Sequence, residues 1–174
     1  MRFAIAAAAV TGLLAGCGTM EPTTGGGPAA KATLQPNQDS GVRGTATFTQ
    51  GDKVRLVANI SGLKPNQEHG LHIHEKGDCS SGDGMSTGGH FNPLDKPHAH
   101  PSTPERHAGD MLALKADDYG NATLSIELDV ITVTEGPTGI IGRGLIVHAE
   151  PDDYRTQPTG NAGARVACGV IQKT

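Results

Sequence analysis

Along much of the chain apolar residues alternate with polar ones at every second position, the period of a half-buried β-strand. Val42, Gly44, Ala46 and Phe48 alternate with Arg43, Thr45, Thr47 and Thr49. After the turn Gln50-Gly51-Asp52, Val54, Leu56, Ala58 and Ile60 alternate with Arg55, Val57 and Asn59. The two runs predict a β-hairpin. Further strands are expected over Gly70–Glu75, Arg106–Lys115, Ala122–Val130, Gly144–Ala149 and Arg165–Ile171. With turn signals between most of them, the pattern predicts an all-β domain: an eight-stranded Greek-key β-barrel or sandwich with two long functional loops. The loops are the aperiodic stretches. Residues 77–105 are rich in Gly and carry Pro93, Pro97, Pro101 and Pro104, and residues 150–161 are polar. A structureless loop as long as the first is usually functional or disordered. It carries His90, His98 and His100, which favours a loop ordered by a metal.

Composition narrows this picture. The 174 residues suffice for one domain with its own core, and aromatic content is only 3%. The core must therefore come from Val, Ile, Leu and Ala. The net charge of −4, with no basic block, argues against a nucleic-acid partner.

The N-terminus differs from the rest. Arg2, the apolar run Phe3–Val10 and Leu14-Ala15-Gly16-Cys17 read as a secretory signal whose end resembles a bacterial lipobox. Residues 1–16 are then a lipoprotein signal peptide, with Cys17 lipidated. Residues 17–30, rich in Gly, Pro and Thr, form a flexible tether, and residues 31–174 form the folded domain. The expected location is exported, periplasmic or cell-envelope, with the membrane held through the N-terminal lipid anchor. Lipidation of Cys17 leaves Cys79 and Cys168, which an exported location permits to pair.

The candidate chemistry lies in the histidines. His72 and His74, two apart on one strand, point to the same face while Ile73 points to the core. Imidazole pairs suit copper, zinc or iron. His90, His98, His107 and Asp110 make a closed tetrahedral set of the structural-zinc kind. His72, His74, His148 and His90 make a nitrogen set that suits Cu(II). His90 belongs to both, because an imidazole that has lost both ring protons can bridge two cations. His69 and His100 join neither set and are expected at the surface.

The stretches Gly70-Leu71-His72-Ile73-His74, Gly88-Gly89-His90-Phe91-Asn92-Pro93, Glu105-Arg106-His107-Ala108-Gly109-Asp110 and Gly160–Gly169 resemble copper/zinc superoxide dismutase, in the family's order, from about Lys31 to the C-terminus. The resemblance implies copper on His72, His74, His90 and His148, and zinc on His90, His98, His107 and Asp110. It implies that Asp152 accepts hydrogen bonds from His72 and His98, that Arg165 docks the superoxide anion, and that Cys79 pairs with Cys168. The implied activity is dismutation of superoxide to dioxygen and hydrogen peroxide, with Arg165 and His90 as the catalytic residues. The alternative is a non-catalytic copper/zinc-binding or copper-delivery lipoprotein. Cys79 lies further ahead of His90 than in eukaryotic members, which resembles the bacterial periplasmic branch and leaves monomer and homodimer both open. Arg155 is a weaker candidate for adding to the attractive field.

Overall fold

A computed structural model describes residues 27–174. The lipobox, Cys17 and most of the tether lie outside the described residues.

The strands are β1 (Ala29–Pro36), β2 (Arg43–Gln50), β3 (Val54–Ser61), β4 (Glu68–His69), β5 (Leu71–His74), β6 (Leu114–Lys115), β7 (Ala122–Leu128), β8 (Gly144–His148), β9 (Arg165–Val170) and β10 (Gln172–Lys173). All strand pairs are antiparallel. One curled sheet runs β5-β8-β9-β1-β2-β3-β7, with β10 also on β1; β4 and β6 form a separate ribbon. This is the all-β barrel-like architecture that the alternation predicts.

The hairpin forms in the expected register, Ala46 facing Ala58 and Phe48 facing Leu56. Its apolar positions Ala46, Phe48, Val54, Leu56 and Ala58 are fully buried. β1 adds Ala30, Ala32 and Leu34 to the same core. Phe48 is among the largest fully buried side chains, consistent with a core built from small aliphatics.

β5 and β8 position the site. Their core face carries Leu71, Ile73, Leu145 and Val147. The opposite face carries His72, His74 and His148, which are buried against loops rather than against the core. That is why every residue of both strands is buried. The β8–β9 register shifts between Val147 and His148, so that His148 pairs with Arg165. A register irregularity of this kind re-aims side chains at the end of a strand.

One expected strand is not continuous. Of Arg106–Lys115 only Leu114–Lys115 is a strand. The backbone ahead of it makes side-chain bonds instead: the His107 N–H donates to Asp110 Oδ2 at 3.1 Å. Arg106 is buried and ion-paired with Asp129. Met111 and Leu114 from this stretch enter the core, while His107 and Asp110 turn into the histidine-rich cluster, so its side chains do not follow one pleat.

Candidate metal centre

The centre consists of two adjoining groups, His72/His74/His90/His148 and His90/His98/His107/Asp110, all buried, with the ligand atoms of each group within 4.8 Å of one another. The residues read as ligands from the sequence are thus brought together, with His90 common to both.

In the first group one nitrogen of each ring is fixed by an acceptor or left to the second cluster. His72 Nε2 donates to Asp152 Oδ2 at 2.7 Å. His74 Nδ1 donates to the Gly88 carbonyl at 3.0 Å, and His148 Nδ1 to the Gly163 carbonyl at 3.3 Å. A carbonyl can only accept, so the proton sits on that nitrogen and the other carries the lone pair. Those others, His72 Nδ1, His74 Nε2 and His148 Nε2, are buried without a hydrogen-bond partner, as is His90 Nε2. Four orphaned nitrogens facing one another cost free energy unless something accepts their lone pairs. A cation does so, and an all-imidazole set suits copper.

In the second group three imidazole nitrogens converge on one carboxylate oxygen. Asp110 Oδ1 lies 3.0 Å from His90 Nδ1, 2.9 Å from His98 Nδ1 and 3.3 Å from His107 Nδ1. His107 Nδ1 lies 3.4 Å from His90 Nδ1. A tetrahedral zinc with bonds of about 2.0–2.1 Å has ligand–ligand edges of about 3.3–3.4 Å. Two of the four separations fall on that edge and the other two within about 0.5 Å of it, so the residues fit zinc. His90 directs Nδ1 to this cluster and Nε2 to the first.

The charge states follow. Burial, then the neighbouring imidazoles His90 and His148, lower His74 far below its ordinary value. Burial lowers His90 to about 4, against hydrogen bonding to Asp110. His148 falls well below its ordinary value, first by burial and then because a second proton would crowd the neighbouring imidazoles. These rings are neutral at pH 7 and so able to bind metal. His98 goes the other way: burial would lower it, but its bonds to Asp110 and Asp152 outweigh that and raise it to about 9. Asp110 and Asp152 lie far below the usual carboxylate range despite burial, because His107, His90 and His98 bond to the first, and His72 and His98 to the second.

Asp152 joins the groups, taking His72 on Oδ2 at 2.7 Å and His98 Nε2 on Oδ1 at 2.9 Å. It sits against Gly160, whose φ is +66° and whose missing Cβ would collide with the carboxylate and the His98 ring. Only glycine meets both demands.

Arg165 lies on the rim of a cavity of about 730 Å³ that it shares with His148, Asn37, Asp39, Asp83 and Met85. Its Nη1 donates to the Gly84 carbonyl and to Thr87 Oγ1, both at 2.8 Å. Both acceptors belong to the long loop, around a single 3₁₀ turn at Met85–Thr87. Cys79, on the same loop, is disulfide-bonded to Cys168 on β9.

Several residues escaped the sequence. Thr87 Oγ1 touches both His74 Nδ1, at 3.2 Å, and Arg165. His69 is not at the surface: it is 2% exposed, and its Nδ1 donates to the His148 carbonyl at 2.9 Å. A lone histidine preceding Gly70 carries no periodic signal that it turns inward. His100 is half-buried with its ring edge-on to Tyr154 at 4.6 Å. Arg155 is exposed and outside the rim lining. Gln157 binds the main chain of His98.

The fold is all-β and barrel-like, and it brings together two buried groups that could each hold a metal ion, with His90 common to both. The family model of copper/zinc superoxide dismutase matches residues 42–171. The chain belongs to the copper/zinc superoxide dismutase family. It is similar to the crystal structure of the clock protein EA4, at 43% identity and a TM-score of 0.76, covering 84% of this chain and 94% of that one.

Proposed function

We propose that the chain converts two superoxide anions and two protons to dioxygen and hydrogen peroxide. The observation that carries this reading is the set of four buried, unpartnered imidazole nitrogens beside Arg165, one of them on the ring shared with the tetrahedral cluster. His72, His74, His90 and His148 would hold copper, which supplies a one-electron redox couple; His90, His98, His107 and Asp110 would hold zinc, which supplies charge without redox. Arg165, permanently cationic, docks the anion at the cavity rim through charge-assisted hydrogen bonds. The Gly84 carbonyl and Thr87 hydroxyl hold its guanidinium in place. His90 Nε2, buried and unpartnered, would carry a proton for the product only while it is not bound to copper, because its one lone pair serves either the metal or the proton. Asp152 fixes the ring orientations of His72 and His98.

The test is metal content measured together with superoxide dismutation by the loaded protein. One copper, one zinc and rapid dismutation are expected. Uptake of both metals without dismutation favours the second reading, a non-catalytic copper/zinc-binding or copper-delivery role. The similar structure is that of a clock protein, a name that describes no enzyme, and this gives the second reading a footing. His148→Ala should abolish turnover and spare zinc, and Arg165→Ala should slow turnover with both metals retained.

We propose further that the protein is exported and tethered to the cell envelope through a lipid on Cys17. Metabolic labelling with a radioactive fatty acid should mark the parent and not Cys17→Ser.

A further inference from the structure

We propose that Gln157 is a positioning residue that sets how long the protein retains zinc, by holding the main chain of His98. This rests on the zinc assignment proposed above. His98 lies in the first long loop, outside every strand, so no sheet ladder fixes its backbone. Its ring is held from two sides, Nδ1 by Asp110 and Nε2 by Asp152. Its main chain is held by one side chain from the second long loop. The His98 N–H donates to Gln157 Oε1 at 2.8 Å, and Gln157 Nε2 donates to the His98 carbonyl at 2.7 Å. Gln157 Nε2 also reaches the Arg155 carbonyl at 3.2 Å.

The pair of bonds imitates a rung of antiparallel sheet, with an amide side chain in place of the partner strand. Its polarity admits one orientation, because the His98 N–H can only donate and its carbonyl only accept. Gln157 and Asp152 therefore grip the same residue from the same loop, one at the backbone and one at the ring. Without Gln157 the loop backbone could drift while the ring stayed tethered, and the Nδ1 lone pair would lose its aim.

The experiment loads the full chain with zinc and copper and follows zinc release to a colorimetric chelator. Gln157→Ala should release zinc about tenfold faster, within the range found when a partner of a metal ligand is removed. Gln157→Glu, which keeps the acceptor for the His98 N–H but turns a carboxylate oxygen on the carbonyl, should fall between parent and alanine. Cobalt(II) placed in the zinc site should show an altered visible spectrum in Gln157→Ala, while copper retention and the melting temperature of the metal-free protein stay at parent values. Zinc release within twofold of the parent, or a fall in metal-free melting temperature as large as that of the loaded protein, would overturn the role. A parent chain that takes up no zinc would overturn the zinc assignment itself, and the clamp with it.

Discussion

The hairpin half of the molecule and the metal half are held together by different means. In β1, β2, β3 and β7 the backbone bonds run strand to strand in unbroken register, and the side chains beneath them are plain aliphatics and one phenylalanine. In residues 77–113 and 149–164 strand ladders are nearly absent, and the chain is fixed by two buried carboxylates, a disulfide and side-chain bonds to main chain. The first half draws its stability from apolar burial, which is indifferent to pH and metal. The second gathers like-charged or lone-pair-bearing groups at close range, an arrangement that bound cations would reconcile. A damaged core should therefore weaken metal-free and loaded protein alike, whereas damage to the carboxylates should register mainly in metal binding.

The largest effect expected is in the first half. Phe48→Ala empties a fully buried position and should cost about 3–5 kcal/mol. Chemical denaturation should give a similar loss with and without metals. A loss confined to the loaded protein would erase the distinction between the halves.

The disulfide is next, because it joins them. Cys79 belongs to the loop and Cys168 to β9, with a sequence separation of 89. In the chain-entropy model such a closure contributes up to about 4.5 kcal/mol, and loss of a native disulfide in practice costs about 2–5 kcal/mol. Cys79→Ser with Cys168→Ser should show that loss in metal-free denaturation, partly offset when both metals are bound. Should the metal-free midpoint stay put, the loop is held by its carboxylate bonds alone.

Asp152→Asn comes third and separates the halves most directly. It preserves shape and one acceptor but removes the charge that takes both His72 and His98. Loss of such a partner typically weakens metal binding about 10–100-fold. Competition titrations should show both metals weakened, since the carboxylate touches a ligand of each group. Weakening of only one would mean that Asp152 does not couple the clusters.

The same division decides what could be read from the chain beforehand. The hairpin was legible because period-two burial is a local property: Leu56 faces inward because Arg55 and Val57 do not. β1 alternates as well, but two of its three core positions are alanines, Ala30 and Ala32, a faint apolar signal. The assembly of the two histidine-rich groups was legible through motif resemblance and ligand chemistry, not periodicity, and Arg106–Ala113 shows the cost of applying periodicity there. His69, Thr87 and Gln157 were not legible because each acts through a bond to residues distant in sequence. Nothing local to Gln157 distinguishes it from a solvated loop amide; its partner is 59 residues away.

The smallest effect is the pH profile of the metal-free protein, where the ligand histidines pull in opposite directions. His90 is lowered to about 4, and His74 and His148 are also lowered, all by burial first. Below pH 6.5 the unfolded chain protonates these residues and the folded one does not, so their contribution is present above 6.5 and lost as pH falls, for His90 through about 4. His98, raised to about 9 by Asp110 and Asp152 against its burial, has the opposite sign. Its contribution is complete below 6.5 and is lost as pH rises through about 9. The metal-free melting temperature should therefore peak near pH 6.5 and fall on both sides, more steeply on the acid side, where three rings act together against one. Zinc must displace the proton from His98, so zinc affinity should rise with pH up to about 9 and each zinc bound near pH 7 should release a proton. Calorimetric titration in two buffers of different ionisation enthalpy counts that proton. Zinc uptake without proton release would mean that the Asp110–His98–Asp152 chain is not charged as its geometry requires, and that the metal half is organised before metal arrives by something other than its carboxylates.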